Sequence, residues 1–471
     1  MFLPTKRPAL CLGTHGPSLL RRRFVLAPHL VPAHKHVIGT TGVGKSKFLA
    51  SMFVQLVEQG IGTALIDPHA DLAHDVLRVL AKRRFFRDAD AQNRLLFVDF
   101  SRRGTSVPFN VLRQPYDDHT VARNVVEACK RAWPALADGT APQFENILLA
   151  STLVLIQNRL ALTYLPRLLT DDAYRATLLN HVSDPEVVHF FRARFDRWGR
   201  DAAVMTESTL RRVFLLTFSP PLRHALGATD NALDFRECMD RGTSLIFNLG
   251  GLDEDSQRLL GCLLTVGFEV AALSRAEVPE TQRRPYHLLI DEFSQFSAQS
   301  EGSLARVLSL ARKYGLSLTL AHQTWSQVSA RLEGALQNAV EIAFRLGRSD
   351  AEWAAPRFGR YDPYSVKHEV ADAVQIGRTH PVYFSLQESF EGWTQSLTDL
   401  KPREAFVNTG ARTVKVRTLT VPETQGTHDE VSALADRYAG LIQKPISSAG
   451  VSVSPHRAAV GTTRVIRLME E

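Results

Sequence analysis

From Lys35 onward the chain alternates short apolar runs with amphipathic stretches, a pattern that predicts a parallel sheet with crossover helices. Lys35 to Ile38 reads as a strand, followed by a glycine-rich turn and a helix from about Lys45 to Gln59. Leu49, Met52, Phe53 and Leu56 fall at i, i+3, i+4 and i+7, one face of that helix. Gly60 stands where a left-handed residue closes it. Thr63 to Ile66 and Leu95 to Phe100 read as buried strands. From about 115 to 240 the strand signals give way to helical periods, which predicts an inserted all-α domain. Strand patterns resume at Thr243 to Leu249, His287 to Ile290, Leu316 to Ala321, Ile342 to Arg345 and Val382 to Ser385.

The expected organisation is a two-part α/β domain over 31–115 and 241–420, with the all-α domain (116–240) inserted between its halves. A Pro-rich basic arm, residues 1–30 with Arg21, Arg22 and Arg23, precedes it; a flexible polar tail, residues 421–471, follows.

The turn after the first strand carries the chemistry. Gly39-Thr-Thr-Gly-Val-Gly-Lys-Ser46 fills every fixed position of the phosphate-loop pattern G-x-x-x-x-G-K-[ST]. Gly39, Gly42 and Gly44 let the backbone wrap closely, so that the N–H groups of Thr40, Thr41, Val43 and their neighbours aim at phosphate oxygens. The following helix presents its positive end to the same anion. Lys45 is expected on the β- and γ-phosphates of ATP, and Ser46 on Mg²⁺. Lys47 and Asp67 join the expected nucleotide-binding set. A chance match is set aside because the motif follows an apolar strand and opens an amphipathic helix.

A phosphate loop needs a distal acid. Tyr286-His-Leu-Leu-Ile-Asp-Glu292 is an apolar strand ending in two carboxylates. Adjacent residues at a strand end point to different sides. Asp291 is therefore expected in the Mg²⁺ shell and Glu292 on the attacking water as general base. This centre requires the loop at 39–46 to meet the two acids across neighbouring strands of one sheet. A helix carrying Leu304, Val307, Leu308 and Ala311 is expected next, closed by Gly315. The strand after it ends at His322-Gln323, where Gln323 is a candidate sensor of the γ-phosphate. Arg345 and Arg348 follow the next strand and are candidate arginine fingers, between which the sequence does not choose.

Composition adds little to this and excludes some classes. The 471 residues are 44% hydrophobic and 22% charged, ordinary for a globular chain of two or three domains. The formal charge of +7 suits a polyanionic partner. The four cysteines (Cys11, Cys129, Cys238, Cys262) are scattered and form no disulfide or zinc pattern. The start lacks the apolar core of a signal peptide, and no apolar window is long enough to cross a bilayer, since Leu259 to Leu273 carries Glu269. The expectation is a soluble, cytoplasmic protein.

In order along the chain, GTTGVGKS, Leu65-Ile-Asp-Pro-His-Ala-Asp-Leu72, Leu289-Ile-Asp-Glu-Phe293 and Ala311-Arg-Lys-Tyr-Gly-Leu-Ser-Leu-Thr-Leu-Ala-His-Gln323 resemble the FtsK–HerA superfamily. The closest resemblance is to type IV secretion coupling proteins of the TraG/TraD kind, over about residues 30 to 420. Pro108-Phe-Asn-Val-Leu112 and Phe344-Arg-Leu-Gly-Arg-Ser-Asp-Ala-Glu352 share it. The resemblance implies a RecA-like P-loop ATPase with a mainly parallel sheet, an inserted all-α domain, a homo-hexameric ring and DNA in its pore. Relaxase or secretion-channel proteins would be partners, recruiting the ring to the inner face of the membrane. The chain departs from the pattern in lacking membrane helices or a β-barrel before the first strand, and in having Ala70 where the family has Gly.

Two further classes compete with a DNA motor. One is an energiser ATPase acting on protein partners of a secretion channel. The other is a nucleotide-gated adaptor that hydrolyses nothing, against which the Asp291-Glu292 pair argues. In the helical block, residues 191 to 223 hold seven arginines against Asp196, Asp201 and Glu207. Phe191, Phe195 and Trp198 fall at i, i+4 and i+7, so they are expected to pack inward and leave the arginines solvated. No base-reading motif is present, so DNA binding is expected to be sequence-independent and salt-sensitive.

Overall fold

A computed structural model describes residues 9–446 apart from 18–19, 134–141, 200, 297–307, 309–310, 328–329, 372–378 and 422–427. Most of the helix expected around Leu304 therefore lies outside the described residues, as do Arg200 and residues 447–471 of the tail.

The strands are β1 (Leu10–His15), β2 (Arg22–Leu26), β3 (Lys35–Ile38), β4 (Gly62–Asp67), β5 (Leu95–Asp99), β6 (Thr105–Ser106), β7 (Ser244–Asn248), β8 (Tyr286–Ile290), β9 (Leu316–His322), β10 (Val340–Ala343), β11 (Val366–Ala371), β12 (Thr379–Tyr383), β13 (Glu404–Asn408), β14 (Thr413–Arg417) and β15 (Lys444–Pro445). Eleven of them form one sheet in the order β2-β1-β14-β13-β10-β3-β9-β8-β4-β7-β5. From β10 to β5 every pairing is parallel; from β10 to β2 every pairing is antiparallel.

The parallel strands read as unbroken apolar runs because both faces are covered. Leu65, Ile246 and Leu289 face α1 (Lys45–Glu58) and α2 (Asp71–Lys82) in one core. Their sequence neighbours Ala64, Ile66, Leu245, Leu288 and Ile290 face a second core, built from the helix Glu254–Leu273 and the helical block. Between Asp118 and Arg241 every described helix or strand is helical.

Glu254–Leu273 lies in a stretch long and apolar enough to cross a membrane, yet 78% of its apolar window is buried inside the protein. Its one mid-helix acid, Glu269, takes a two-pronged ion pair from Arg131, with both N–O distances 2.7 Å. This is a core helix.

Four expectations need correction. Residues 10–26 are not an arm, since β1 and β2 extend the sheet. Phe24 and Leu26 point into the core while Arg22, Arg23 and Val25 face solvent. Two glutamines one turn apart on α1 hold the start of this segment: Gln55 exchanges hydrogen bonds with the backbone of Cys11 (2.9 and 3.0 Å), and Gln59 with that of Ala9 (2.9 and 2.8 Å). The tail is not wholly flexible either. Its helix His428–Ala439 buries Val431, Ala435 and Tyr438, an i, i+4, i+7 stripe, in the core that contains α2.

The strand expected at 382–385 is displaced from the sheet: Thr379–Tyr383 pairs with Val366–Ala371 in a separate ribbon. Finally, β3 and β8 are not neighbours. β9 lies between them, and its tip fills the space of one strand separation, about 4.8 Å on each side.

Lys35 provides a pH-dependent test of this packing. It is fully buried, and its Nζ donates to the carbonyls of Val31 (2.7 Å) and Ala33 (2.8 Å). Burial, with Arg312 adding repulsion, pushes its ammonium down to about 7. Unfolding restores an ordinary lysine, so between pH 7 and about 10 the unfolded chain binds the extra proton and stability rises with pH. Lys35→Met should flatten that rise in denaturant midpoints measured from pH 7 to 10. An identical slope in both proteins would show that Lys35 is not the buried titrating group.

Candidate active site

β3, β9, β8 and β4 all end at the same edge of the sheet, the edge at which open parallel sheets bind their ligands. The loop after β3 enters α1 through Gly42 and Gly44, whose φ values of +78° and +106° a side-chain-bearing residue rarely holds. Lys45 Nζ folds back on this loop and donates to the carbonyls of Gly39 (2.7 Å) and Thr40 (3.1 Å). The Thr40 N–H donates to the Arg345 carbonyl at 3.0 Å, which ties the loop to the end of β10.

The acids arrive from β8. Asp291 and Glu292 are only 3% and 9% exposed, and both turn toward the loop. Ser46 Oγ donates to Asp291 Oδ2 at 2.8 Å across 245 residues of sequence. Gln323, at the tip of β9, donates from Nε2 to Glu292 Oε1 (3.0 Å) and accepts from Thr41 Oγ1 (3.1 Å). A side-chain chain therefore runs from the loop through Gln323 to Glu292. Glu292 holds φ +44°, a left-handed conformation that costs a non-glycine residue about 1 kcal/mol or more. Such strain persists where the surroundings over-determine it.

Charge is unevenly balanced here. Burial lowers the Lys45 ammonium, while Glu292 and Asp291 raise it again. Burial raises the Asp291 carboxyl; the Ser46 hydroxyl lowers it, and the nearby charges of Glu292 and Asp67 add to the rise. A buried carboxylate crowded by two others, next to a serine hydroxyl, is a hard-oxygen donor set that a divalent cation would stabilise. Among the described residues no group of three or more His, Cys, Asp and Glu could enclose a metal by itself.

The remaining expected residues are placed as follows. Asp67 is spent on local structure: its carboxylate accepts from the backbone N–H groups of His69 (2.9 Å) and Ala73 (2.8 Å), bracing the start of α2. Lys47 pairs with Asp75 at 2.6 Å. Arg348 is held by Glu391 through two contacts (2.7 and 2.6 Å) and by Glu352 at 2.6 Å. Arg345 is exposed beside the phosphate loop, and among the described residues its guanidinium has no recorded hydrogen bond or ion pair. In the helical block Phe191 and Phe195 are buried and Arg192, Arg194 and Arg197 exposed, the solvated-arginine arrangement.

Two features were not foreseen. The Arg403 N–H donates to the Val43 carbonyl at 3.0 Å, with the Arg403 backbone at φ +70°. A trans peptide points its C=O and the next N–H in opposite directions within its plane, so this bond leaves the Gly44 N–H pointing away from Arg403. Lys-Pro-Arg-Glu carries no signal for it. The other is a buried pair, His36 and His322, hydrogen-bonded through their Nε2 atoms and packed against Trp325 beside Gln323. Burial lowers His322 to about 4, so it is neutral at pH 7.

Residues 25–339 match the sequence profile of a family described as the type IV secretion-system coupling protein DNA-binding domain. A comparison with curated proteins gives no match. Among solved structures, the plasmid coupling protein TrwB in complex with the non-hydrolysable ATP analogue ADPNP superposes with TM-score 0.58 at 18% identity, over 91% of this chain and 98% of that one. The complex of TrwB with ADP and Mg²⁺ gives 0.59 at 17% identity over the same shares. VirB4 of Thermoanaerobacter pseudethanolicus gives 0.55 at 13%, over 88% of this chain and 98% of that one. These likenesses establish a RecA-like P-loop fold.

Proposed function

Because the chain belongs to the type IV secretion-system coupling protein DNA-binding domain family, we propose that it is a motor that hydrolyses ATP to move DNA in conjugative transfer. The observation that carries this reading is the meeting of Ser46 with Asp291 and of Gln323 with Glu292 at the phosphate loop, which assembles a hydrolytic centre from segments far apart in sequence.

The loop amides and Lys45 bind the triphosphate. Ser46 and Asp291 would hold Mg²⁺, which neutralises charge building on the phosphate oxygens. TrwB was solved with ADP and Mg²⁺, which supports the same pair of ligands here. Glu292 takes the proton of the attacking water, and Gln323 holds that carboxylate in place and orients the water.

Of the two arginines, Arg345, exposed and without a side-chain partner among the described residues, is the finger that reaches a neighbouring subunit's γ-phosphate. Arg348, occupied by Glu391 and Glu352, shapes the surface around it. The neighbour would be another copy in a homo-hexameric ring, and relaxase or channel proteins would recruit that ring to the inner membrane face.

ATPase rates with no DNA, single-stranded DNA and double-stranded DNA test the proposal. Stimulation by at least one form, weakening as salt rises, is expected. A rate indifferent to both forms would remove the DNA assignment. In the same assay Arg345→Ala should lower turnover by about 10³-fold, in the range of trans arginine fingers, while Arg348→Ala falls far less. The reverse ranking would exchange their roles.

A further inference from the structure

His322 closes β9 and Gln323 follows it. Gln323 reaches Glu292 and Thr41, whereas His322 reaches His36 on β3, the strand that opens the phosphate loop. In the sheet Ile38 lies opposite His322, and His36, two residues earlier, shares its face. Both imidazoles are 1% exposed and lie 4.7 Å apart between ring centres, with the Trp325 ring 4.5 Å from His36.

The hydrogen bonds of this pair have only one direction. Burial, followed by repulsion from His322 and Arg357, holds His36 well below the ordinary histidine range. Like His322, it is neutral at pH 7, so each ring carries a single N–H. The Nδ1 of His322 lies 2.8 Å from the Thr324 carbonyl, which can only accept. The His322 proton therefore sits on Nδ1, and its Nε2 presents a lone pair. His36 Nε2 faces that lone pair and must carry its own proton. The opposite assignment would set the His322 Nδ1 lone pair against the Thr324 oxygen.

The chain of donors thus runs from His36 to His322 to the Thr324 carbonyl. The next residue extends the hold. The Trp325 N–H donates to Asp350 Oδ1 at 3.0 Å, and its ring packs on Trp353. Residues 322, 324 and 325 are each tied down, with Gln323 between them.

We infer that His322, oriented by His36, is a positioning residue that fixes the turn after β9 so that Gln323 meets Glu292 and the γ-phosphate end of the nucleotide. The role given to Gln323 rests on the hydrolytic reading above; the direction of the hydrogen bonds does not. The strand that delivers the phosphate loop would then also set the strand tip that delivers Gln323.

Two measurements on the full chain test this. In protein labelled with nitrogen-15 histidine, NMR correlations separate protonated from bare ring nitrogens, and His322→Asn and His36→Asn identify the two rings. At pH 7 His322 should be protonated on Nδ1 and His36 on Nε2. A proton on His322 Nε2 overturns the proposal.

In ATPase assays His322→Phe keeps a ring but neither hydrogen bond. It should lower turnover about ten- to a hundredfold and leave ADP affinity unchanged. His322→Asn, whose amide can still donate to the Thr324 carbonyl, should recover part of the loss. Gln323→Ala should itself lower turnover, and adding His322→Phe should cost little more, because the histidine acts through the glutamine. Should His322→Phe fail to fold, His36→Phe, which removes only the donor to His322, gives the same cycle. Unchanged turnover in the single variant, or losses that multiply in the double variant, overturn the proposal. An unsubstituted chain that hydrolyses no ATP removes the hydrolytic reading instead. Positioning is then read in binding, where His322→Phe should weaken a non-hydrolysable ATP analogue but not ADP; equal effects on both overturn it.

Discussion

Glu292→Gln is expected to lower ATP turnover by about 10²- to 10⁴-fold while nucleotide affinity changes little. The substitution is nearly isosteric, and its amide oxygen still accepts from Gln323 Nε2, so the chain of contacts from Thr41 through Gln323 survives. What disappears is a group able to take a proton from water. The left-handed backbone at 292 is unchanged by the exchange, so backbone strain does not confuse the result. Single-turnover hydrolysis beside equilibrium nucleotide binding separates the two effects. Undiminished turnover in this variant would remove Glu292 as the base and revive a site that binds without hydrolysing.

Lys45→Ala should act one step earlier, on binding itself. Lys45 is 6% exposed, and its ammonium is shared between two loop carbonyls and the field of Asp291 and Glu292. When a triphosphate binds, the ammonium exchanges carbonyl partners for phosphate oxygens. Losing a charge-assisted contact of this kind costs about 1.5–3 kcal/mol, or roughly ten- to a hundredfold in affinity. The loss of turnover should be larger still, because charge on the γ-phosphate grows in the transition state. Calorimetric titration with ADP and with a non-hydrolysable ATP analogue checks both the size and the order. The ATP analogue should lose more than ADP, since the γ-phosphate is the contact removed. Equal losses would place Lys45 on the β-phosphate alone.

The elements of the α/β core were legible because their signals are local. Lys35–Ile38 appears where the apolar pattern puts it, and Gly60 takes φ +70° at the end of α1. The segments missed had signals of the same kind but weaker. Arg23-Phe-Val-Leu26 is an apolar run of only three residues behind an arginine, and Val431, Ala435 and Tyr438 make a single helical stripe in a polar stretch. Such short patterns are decided by whether a docking surface exists. Here β1, itself held by β14 and α1, receives the first, and the core around α2 the second.

The sequence by itself determined the phosphate loop, the acid pair and the strand-and-helix alternation, because backbone torsions at glycine and the burial period of strands and helices are properties of adjacent residues. Only the tertiary structure decided that β9 separates β3 from β8, that Gln323 bridges Thr41 to Glu292, that Arg348 is occupied by Glu391 while Arg345 has no side-chain partner among the described residues, and that Arg403 orients the Val43–Gly44 peptide. Each of these depends on which of many polar groups finds which partner across tens to hundreds of residues. That choice is made by strand order and by the entropy of closing long loops, and neither is written in any local pattern.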